Sequence, residues 1–136
     1  MLVHDTYTKD EDIFQVSPTN YQLSTVLCPN ANLYIENKLP VIQQFIEARL
    51  NIVTGTDSLA SNDQLNILSE LGTIQNRFPS IELTTLLQWA TSNGAKALQI
   101  ENKFGNFEKG KQPGVVLIEN CEGFKLAERS SLKRII

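Results

Sequence analysis

Two kinds of apolar run alternate along the first hundred residues. Short β-branched blocks, Leu2-Val3-His4, Ser24-Thr25-Val26-Leu27-Cys28 and Asn51-Ile52-Val53-Thr54, read as buried strands. Between and after them the apolar positions recur at helical spacing: Val41, Ile42, Phe45, Ile46 and Leu50; then Leu65, Leu68, Leu71 and Ile74 or Gln75; then Leu83, Leu86, Leu87 and Ala90. The breaks carry punctuation. Pro29 ends the second strand, Pro40 opens a helix, Phe78-Pro79 stops one, and Asn93-Gly94 interrupts another before a last turn. Thr8-Lys9-Asp10-Glu11 and Ser61-Asn62-Asp63-Gln64 match capping boxes, which predict a helix over 9–16, broken at Pro18-Thr19-Asn20, and make Ser61 an N-cap. Residues 30–38 read as a polar loop. After Ile100 the glycines at 105, 110 and 114 separate short pieces, and strands are expected over 115–119, 124–127 and 132–136.

The order is strand-helix, strand-helix, strand-helix, helix, then small β elements. That alternation predicts an α/β fold with a parallel sheet and right-handed crossovers. Three such units are an incomplete object. A closed eight-stranded barrel needs about 250 residues, and an open three-stranded sheet presents unpaired backbone at both edges. The first strand begins almost at its own end, when a useful strand runs roughly five or six residues. The expectation is a piece of something longer.

Composition narrows the partners. The 136 residues are 41% hydrophobic and 20% charged, with net charge −3 and pI about 5.1. No basic stripe is present, which argues against nucleic acid. No apolar run reaches the roughly 18 residues of a membrane span, and the first residues lack the basic and apolar blocks of a leader. Cys28 and Cys121 share no metal-like spacing and read as two reduced thiols of a cytoplasmic protein. The single histidine has the largest consequence: protein zinc sites draw on several His or Cys ligands, and this chain cannot supply them.

The chemistry-bearing stretch is Ile52-Val53-Thr54-Gly55-Thr56-Asp57. Asp57 stands where a parallel strand stops and its loop begins, the rim at which barrel enzymes react. The plain alternative is a turn aspartate. His4 occupies the equivalent place after the first strand. Cys28 is better read as a buried thiol than as a nucleophile, since no histidine or helix start lowers its pKa. Trp89 belongs to the core, and the late glycines form no phosphate loop because no strand-loop-helix surrounds them.

These residues carry a resemblance. His4 in LVHDTYT, Cys28-Pro29-Asn30-Ala31-Asn32, and Gly55-Thr56-Asp57-Ser58 with Ala60-Ser61-Asn62 resemble the last barrel strands of the amidohydrolase superfamily, in its cytosine deaminase and triazine chlorohydrolase-like branch. Ala90-Thr91, Asn93-Gly94-Ala95-Lys96-Ala97-Leu98, Phe104-Gly105 and Gly110-Lys111 resemble that group's C-terminal signature. The resemblance implies the last three βα units of a (β/α)8 TIM-type barrel over 1–103, strands six to eight, followed by short strands of a small β-sandwich over 104–136. It implies Asp57 as metal ligand and proton acceptor, His4 as a catalytic residue orienting water or substrate, and Asn30, Asn32 and Ser58 as substrate-binding. The implied activity is hydrolysis of C–N bonds in cyclic amidines, aromatic nitrogen heterocycles or nucleosides, by water activated on Zn²⁺ or Fe²⁺.

Three departures bear on this. The family's His-x-His and its strand-five His with nearby Glu are absent, so the ion's site is incomplete in this chain and the chain alone is expected to be inactive. Gln112-Pro113-Gly114 stands where the family commonly has Ala-Asp. The competing expectation is a non-catalytic, barrel-derived domain that forms a homo-oligomer through its exposed sheet edges.

Overall fold

The computed structural model describes residues 1–9, 11–13 and 23–136. Three parallel strands, β1 (Leu2–Val3), β2 (Ser24–Leu27) and β3 (Asn51–Thr54), form one sheet in the order β1-β2-β3. Four paired residues join β2 to β3, from Ser24 against Asn51 to Leu27 against Thr54. The alternation of strand and helix predicted this parallel pairing. Residues 11–13 are helical, with the Asp12 carboxylate reaching back to the Lys9 N–H (2.9 Å). The remainder of the expected 9–16 helix and its break at 18–20 lie outside the described residues.

The segment after β2 differs from expectation. Pro29–Glu36 is a helix, α1, and not a polar loop. Pro29 enters the first turn, where its missing N–H costs nothing, and the Asn32 N–H closes the turn on the Cys28 carbonyl (2.9 Å). The asparagines that read as loop residues are held by tertiary contacts, and Asn37 ends the helix in the left-handed conformation. A short helix α2 (Ile42–Glu47) follows Pro40 and buries Ile42 and Phe45, leaving Val41 and Ile46 exposed.

Beyond β3 come α3 (Ile67–Arg77), α4 (Leu83–Ala90) and α5 (Ser92–Ala97). The N-cap of α3 is Asn66, whose side chain accepts from the Leu68 N–H (3.0 Å); Ser61 is not a cap. Helix α5 runs through Asn93-Gly94 instead of breaking there. Leu27 and Ile52 of the sheet join Ile42, Phe45, Leu71, Ile74, Leu86 and Trp89 in one buried cluster. Val26 and Val53, paired in register, instead line a cleft of about 890 Å³ with Gly94, Ala95 and Phe104.

The last strands, β4 (Val116–Glu119) and β5 (Ser131–Arg134), pair antiparallel as a separate two-stranded sheet. The expected strand over 124–127 is not one. Leu126 is instead clamped by Gln75 of α3, which donates to its carbonyl (2.9 Å) and accepts from its N–H (3.0 Å). Those backbone groups are satisfied without a ladder.

Candidate active site

The carboxyl ends of the three parallel strands meet at one rim. His4 follows β1, with its N–H on the Val26 carbonyl (3.1 Å), and Gly55 follows β3, with its N–H on the Leu27 carbonyl (2.9 Å). Gly55 leaves room there: a Cβ would lie 3.2 Å from Val26 Cγ1, a tight contact, and 3.4 Å from Cys28 Sγ. The chain then turns sharply. His4, Asp5 and Asp57 have φ of 72°, 50° and 56°, in the left-handed region. His and Asp tolerate that region better than most residues, yet each such position costs about 1–3 kcal/mol and tends to occur at functional sites.

The turns bring His4 and Asp57 together. His4 Nε2 lies 3.7 Å from Asp57 Oδ2, and both side chains are about a third exposed. On its other side, His4 Nδ1 is 3.1 Å from Asn32 Oδ1. Asn32 is 2% exposed, and its Nδ2 donates to the His4 carbonyl (3.4 Å) and to Thr6 Oγ1. With its amide nitrogen committed, Asn32 offers His4 Nδ1 an acceptor, which favours a proton on that nitrogen. In the neutral ring Nε2 then turns a lone pair toward the Asp57 carboxylate. When the ring also carries a proton on Nε2, the two groups form an ion pair. Thr25 Oγ1 donates to Asp5 and pins the same turn to β2.

Ser61 Oγ donates to Asp57 Oδ2 (2.5 Å) and lies 3.2 Å from the Ser58 carbonyl. The residue expected to cap a helix therefore orients the rim carboxylate. Ser58 is exposed, and its Oγ accepts from the Ala60 N–H (3.3 Å). Asn30 is turned away from the rim pair: its side chain donates to Ser69 Oγ (3.1 Å) and accepts from Thr73 Oγ1 (2.6 Å), both on α3. Its N–H donates to Glu70 Oε2 (2.9 Å). Glu70 is fully buried and also accepts from Asn62 Nδ2 at Oε1 (2.6 Å). Burial pushes the Glu70 carboxyl above its ordinary 4.5, against the pull of the Asn30 and Asn62 bonds. Burial, with the Asp57 and Glu70 charges, raises the Cys28 thiol to about 11, so it is no nucleophile.

With this geometry in place, the chain matches the Amidohydrolase family over residues 1–133. It belongs to the amidohydrolase family. It is 30% identical over 125 residues to a 5-methylthioadenosine/S-adenosylhomocysteine deaminase of Saccharophagus degradans, covering 87% of this chain and 28% of that protein. The corresponding deaminase of Caldicellulosiruptor saccharolyticus is 34% identical over 126 residues, covering 88% and 29%. Among solved structures, an adenosine deaminase from Xanthomonas campestris with bound zinc superposes with a TM-score of 0.76 at 29% identity, covering 86% of this chain and 28% of that one. The amidohydrolase chain thus spans a little over a quarter of the length of these relatives, and its sheet is part of their α/β barrel architecture.

A catalytic zinc site takes three protein donors and leaves a fourth position for water. His4 and Asp57 offer two, and among the described residues no group of three His, Cys, Asp or Glu is placed to hold a metal. The described residues of this chain alone do not fit the ion. Nor do His4, Asn30, Asn32, Asp57 or Ser58 line the cleft beside Val26 and Val53.

Ser61 and Glu70 are the residues that sequence reasoning missed. For Ser61 the spacing to Gln64 imitated a cap. For Glu70 a signal existed: it falls between Ile67, Leu71 and Ile74 on the buried side of α3, where a charge needs a partner.

Proposed function

We propose that this chain supplies strands six to eight of a (β/α)8 amidohydrolase barrel in residues 1–103, and strands of a small β-sandwich in residues 104–136. The whole protein removes the exocyclic amino group of a nucleoside-type heterocycle. Water adds to the ring carbon that bears the amine, the C–N bond breaks, and ammonia leaves with a carbonyl formed on the ring. The names of the relatives, deaminases of 5-methylthioadenosine, S-adenosylhomocysteine and adenosine, support an adenosine-like substrate.

The observation that carries the reading is the convergence of Asp57 and His4 Nε2, 3.7 Å apart, at the carboxyl ends of β3 and β1. A carboxylate there can accept a proton from attacking water. The histidine, locked by Asn32 with Nε2 facing inward, orients that water or the substrate nitrogen. Asn32 holds His4, Ser58 lies on the exposed turn where a substrate edge passes, and Asn30 supports the rim from behind through α3. In the complete protein Asp57 is one donor to a Zn²⁺ or Fe²⁺ ion whose other donors lie outside this chain. Two free cysteines, one of them buried, support a cytoplasmic setting. No helix among the described residues is long and apolar enough to cross a membrane.

Metal analysis and ammonia release test this. The 136-residue chain by itself retains no stoichiometric zinc or iron and releases no ammonia from adenosine-type nucleosides; turnover by the pure chain refutes the reading. A second reading, a self-associating domain without catalysis, is favoured by the half-exposed Val3 at the outer edge of the sheet. A solution mass separates it: a well-behaved monomer argues against edge pairing.

A further inference from the structure

Glu70 is a fully buried carboxylate on α3, where an apolar residue would pack without desolvating a charge. Its two oxygens face two different rim segments. Oε2 accepts from the Asn30 N–H (2.9 Å), in the segment after β2 that also carries Asn32, the partner of His4. Oε1 accepts from Asn62 Nδ2 (2.6 Å), in the segment after β3 that carries Asp57. Asn62 continues the connection. Its Nδ2 also donates to the Thr56 carbonyl (2.8 Å), one residue before Asp57, and it directly follows Ser61, whose hydroxyl holds the Asp57 carboxylate.

We infer that Glu70 is a positioning residue: from α3 it clamps the Asn30–Asn32 and Thr56–Asn62 segments to each other and so sets the approach of Asp57 to His4. The inference rests on the reading of His4 and Asp57 as the rim pair. Glu70 is too far inside the fold to touch a substrate. Its contribution is the register between one segment that holds the imidazole and another that holds the carboxylate. The carboxylate is suited to this because it has two acceptor atoms and no donor. A glutamine in its place presents an NH₂ to one of two N–H donors, and one side of the clamp opens.

The chain has a single histidine, so its ring signals in an NMR spectrum are unambiguous. Glu70→Gln should move the His4 ring resonances toward those of Asp57→Asn, because in both the carboxylate no longer faces Nε2. Amide exchange at Gly55 and Ser61 should rise about 10- to 100-fold, the loss expected for one buried bond to a charged group, while the buried amides of α4 stay unchanged. A merely structural role would raise all slow amides together and leave the His4 ring unmoved. Asn62→Ala keeps the carboxylate and its Asn30 bond but cuts the same link, and gives the same result if Glu70→Gln does not fold.

His4 signals that stay at their wild-type positions in these variants, while Asp57→Asn shifts them, overturn the inference. If Asp57→Asn itself leaves the His4 ring unmoved, the rim-pair reading fails. The Gly55 and Ser61 exchange rates then decide on Glu70 alone, unchanged rates overturning the clamp.

Discussion

Replacing Asn32 by leucine tests how the rim histidine is oriented. Asn32 is 2% exposed and shares the branched four-atom shape of leucine, so the change removes polarity while keeping the outline of the side chain. It deletes the acceptor for His4 Nδ1 (3.1 Å) and the donors to the His4 carbonyl and Thr6 Oγ1. Thr6 is buried, so its hydroxyl loses a partner that water replaces poorly, whereas the partly exposed His4 can turn to solvent. One lost buried partner and one weakened bond together cost about 2 kcal/mol. In a domain of this size that lowers the melting temperature by roughly 6–10 °C. The tautomer is the sharper readout. A bond worth about 1 kcal/mol biases Nδ1–H over Nε2–H by about fivefold. Nitrogen-15 spectra of the single imidazole at a pH where it is neutral should show a ratio of Nδ1–H to Nε2–H about fivefold higher in the wild type than in Asn32→Leu. A ratio indifferent to the substitution would refute the argument that Asn32 turns a lone pair toward Asp57.

Other outcomes follow from the same contacts. Because burial raises the Glu70 carboxyl above its ordinary 4.5, the folded chain binds a proton more tightly there than the unfolded one. Its contribution is therefore full below that value and is lost as pH rises through the raised folded pKa. Urea melts across this range should show the decline, and Glu70→Gln should remove it; a Glu70→Gln slope identical to wild type would contradict the assignment. At pH 8 an alkylating reagent should modify Cys121 quickly and Cys28 only on unfolding, since Cys28 is buried with its thiol raised to about 11. Mass mapping that finds both labelled equally fast would contradict this. Leu86→Ala, at a fully buried position of the core cluster, should cost about 2–5 kcal/mol. A melting point within a degree or two of wild type would mean that α4 does not pack as described.

The legible parts of this fold are those where local pattern and tertiary environment agree. Asn51–Thr54 is a strand with the bounds its β-branched run predicts, and Leu68, Leu71 and Ile74 are buried as their spacing requires. Helix α1 was illegible because asparagines at 30 and 32 carry turn propensity, and what overrides it is the burial of Ala31 and Asn32 and the bonds of Asn30 to α3 and of Asn32 to His4 and Thr6, which no local window contains. Ser61 shows the converse. Its spacing to Gln64 satisfied a capping rule, but α3 begins only at Ile67, so the hydroxyl was free to bond Asp57. The strand expected over 124–127 had suitable residues but no partner, and the Gln75 side chain satisfies Leu126 instead.

At the candidate site, the placing of Asp57 after a strand was readable, whereas the role proposed for it came only with the family resemblance. Its meeting with His4 depends on the parallel register of β1, β2 and β3, which brings together residues 53 positions apart. Glu70 was passed over because one acidic residue in an eleven-residue helix ordinarily faces water, although its spacing from Ile67, Leu71 and Ile74 sets it on the apolar face.

The central claim is that Asp57 is the proton-accepting carboxylate of a deaminase rim shared with His4. It is tested most directly by ammonia release from adenosine-type nucleosides, using the polypeptide that contains the complete barrel, with and without Asp57→Asn. The account predicts that this substitution lowers kcat by at least about 100-fold while the chain stays folded. Turnover at the wild-type rate in Asp57→Asn would contradict it.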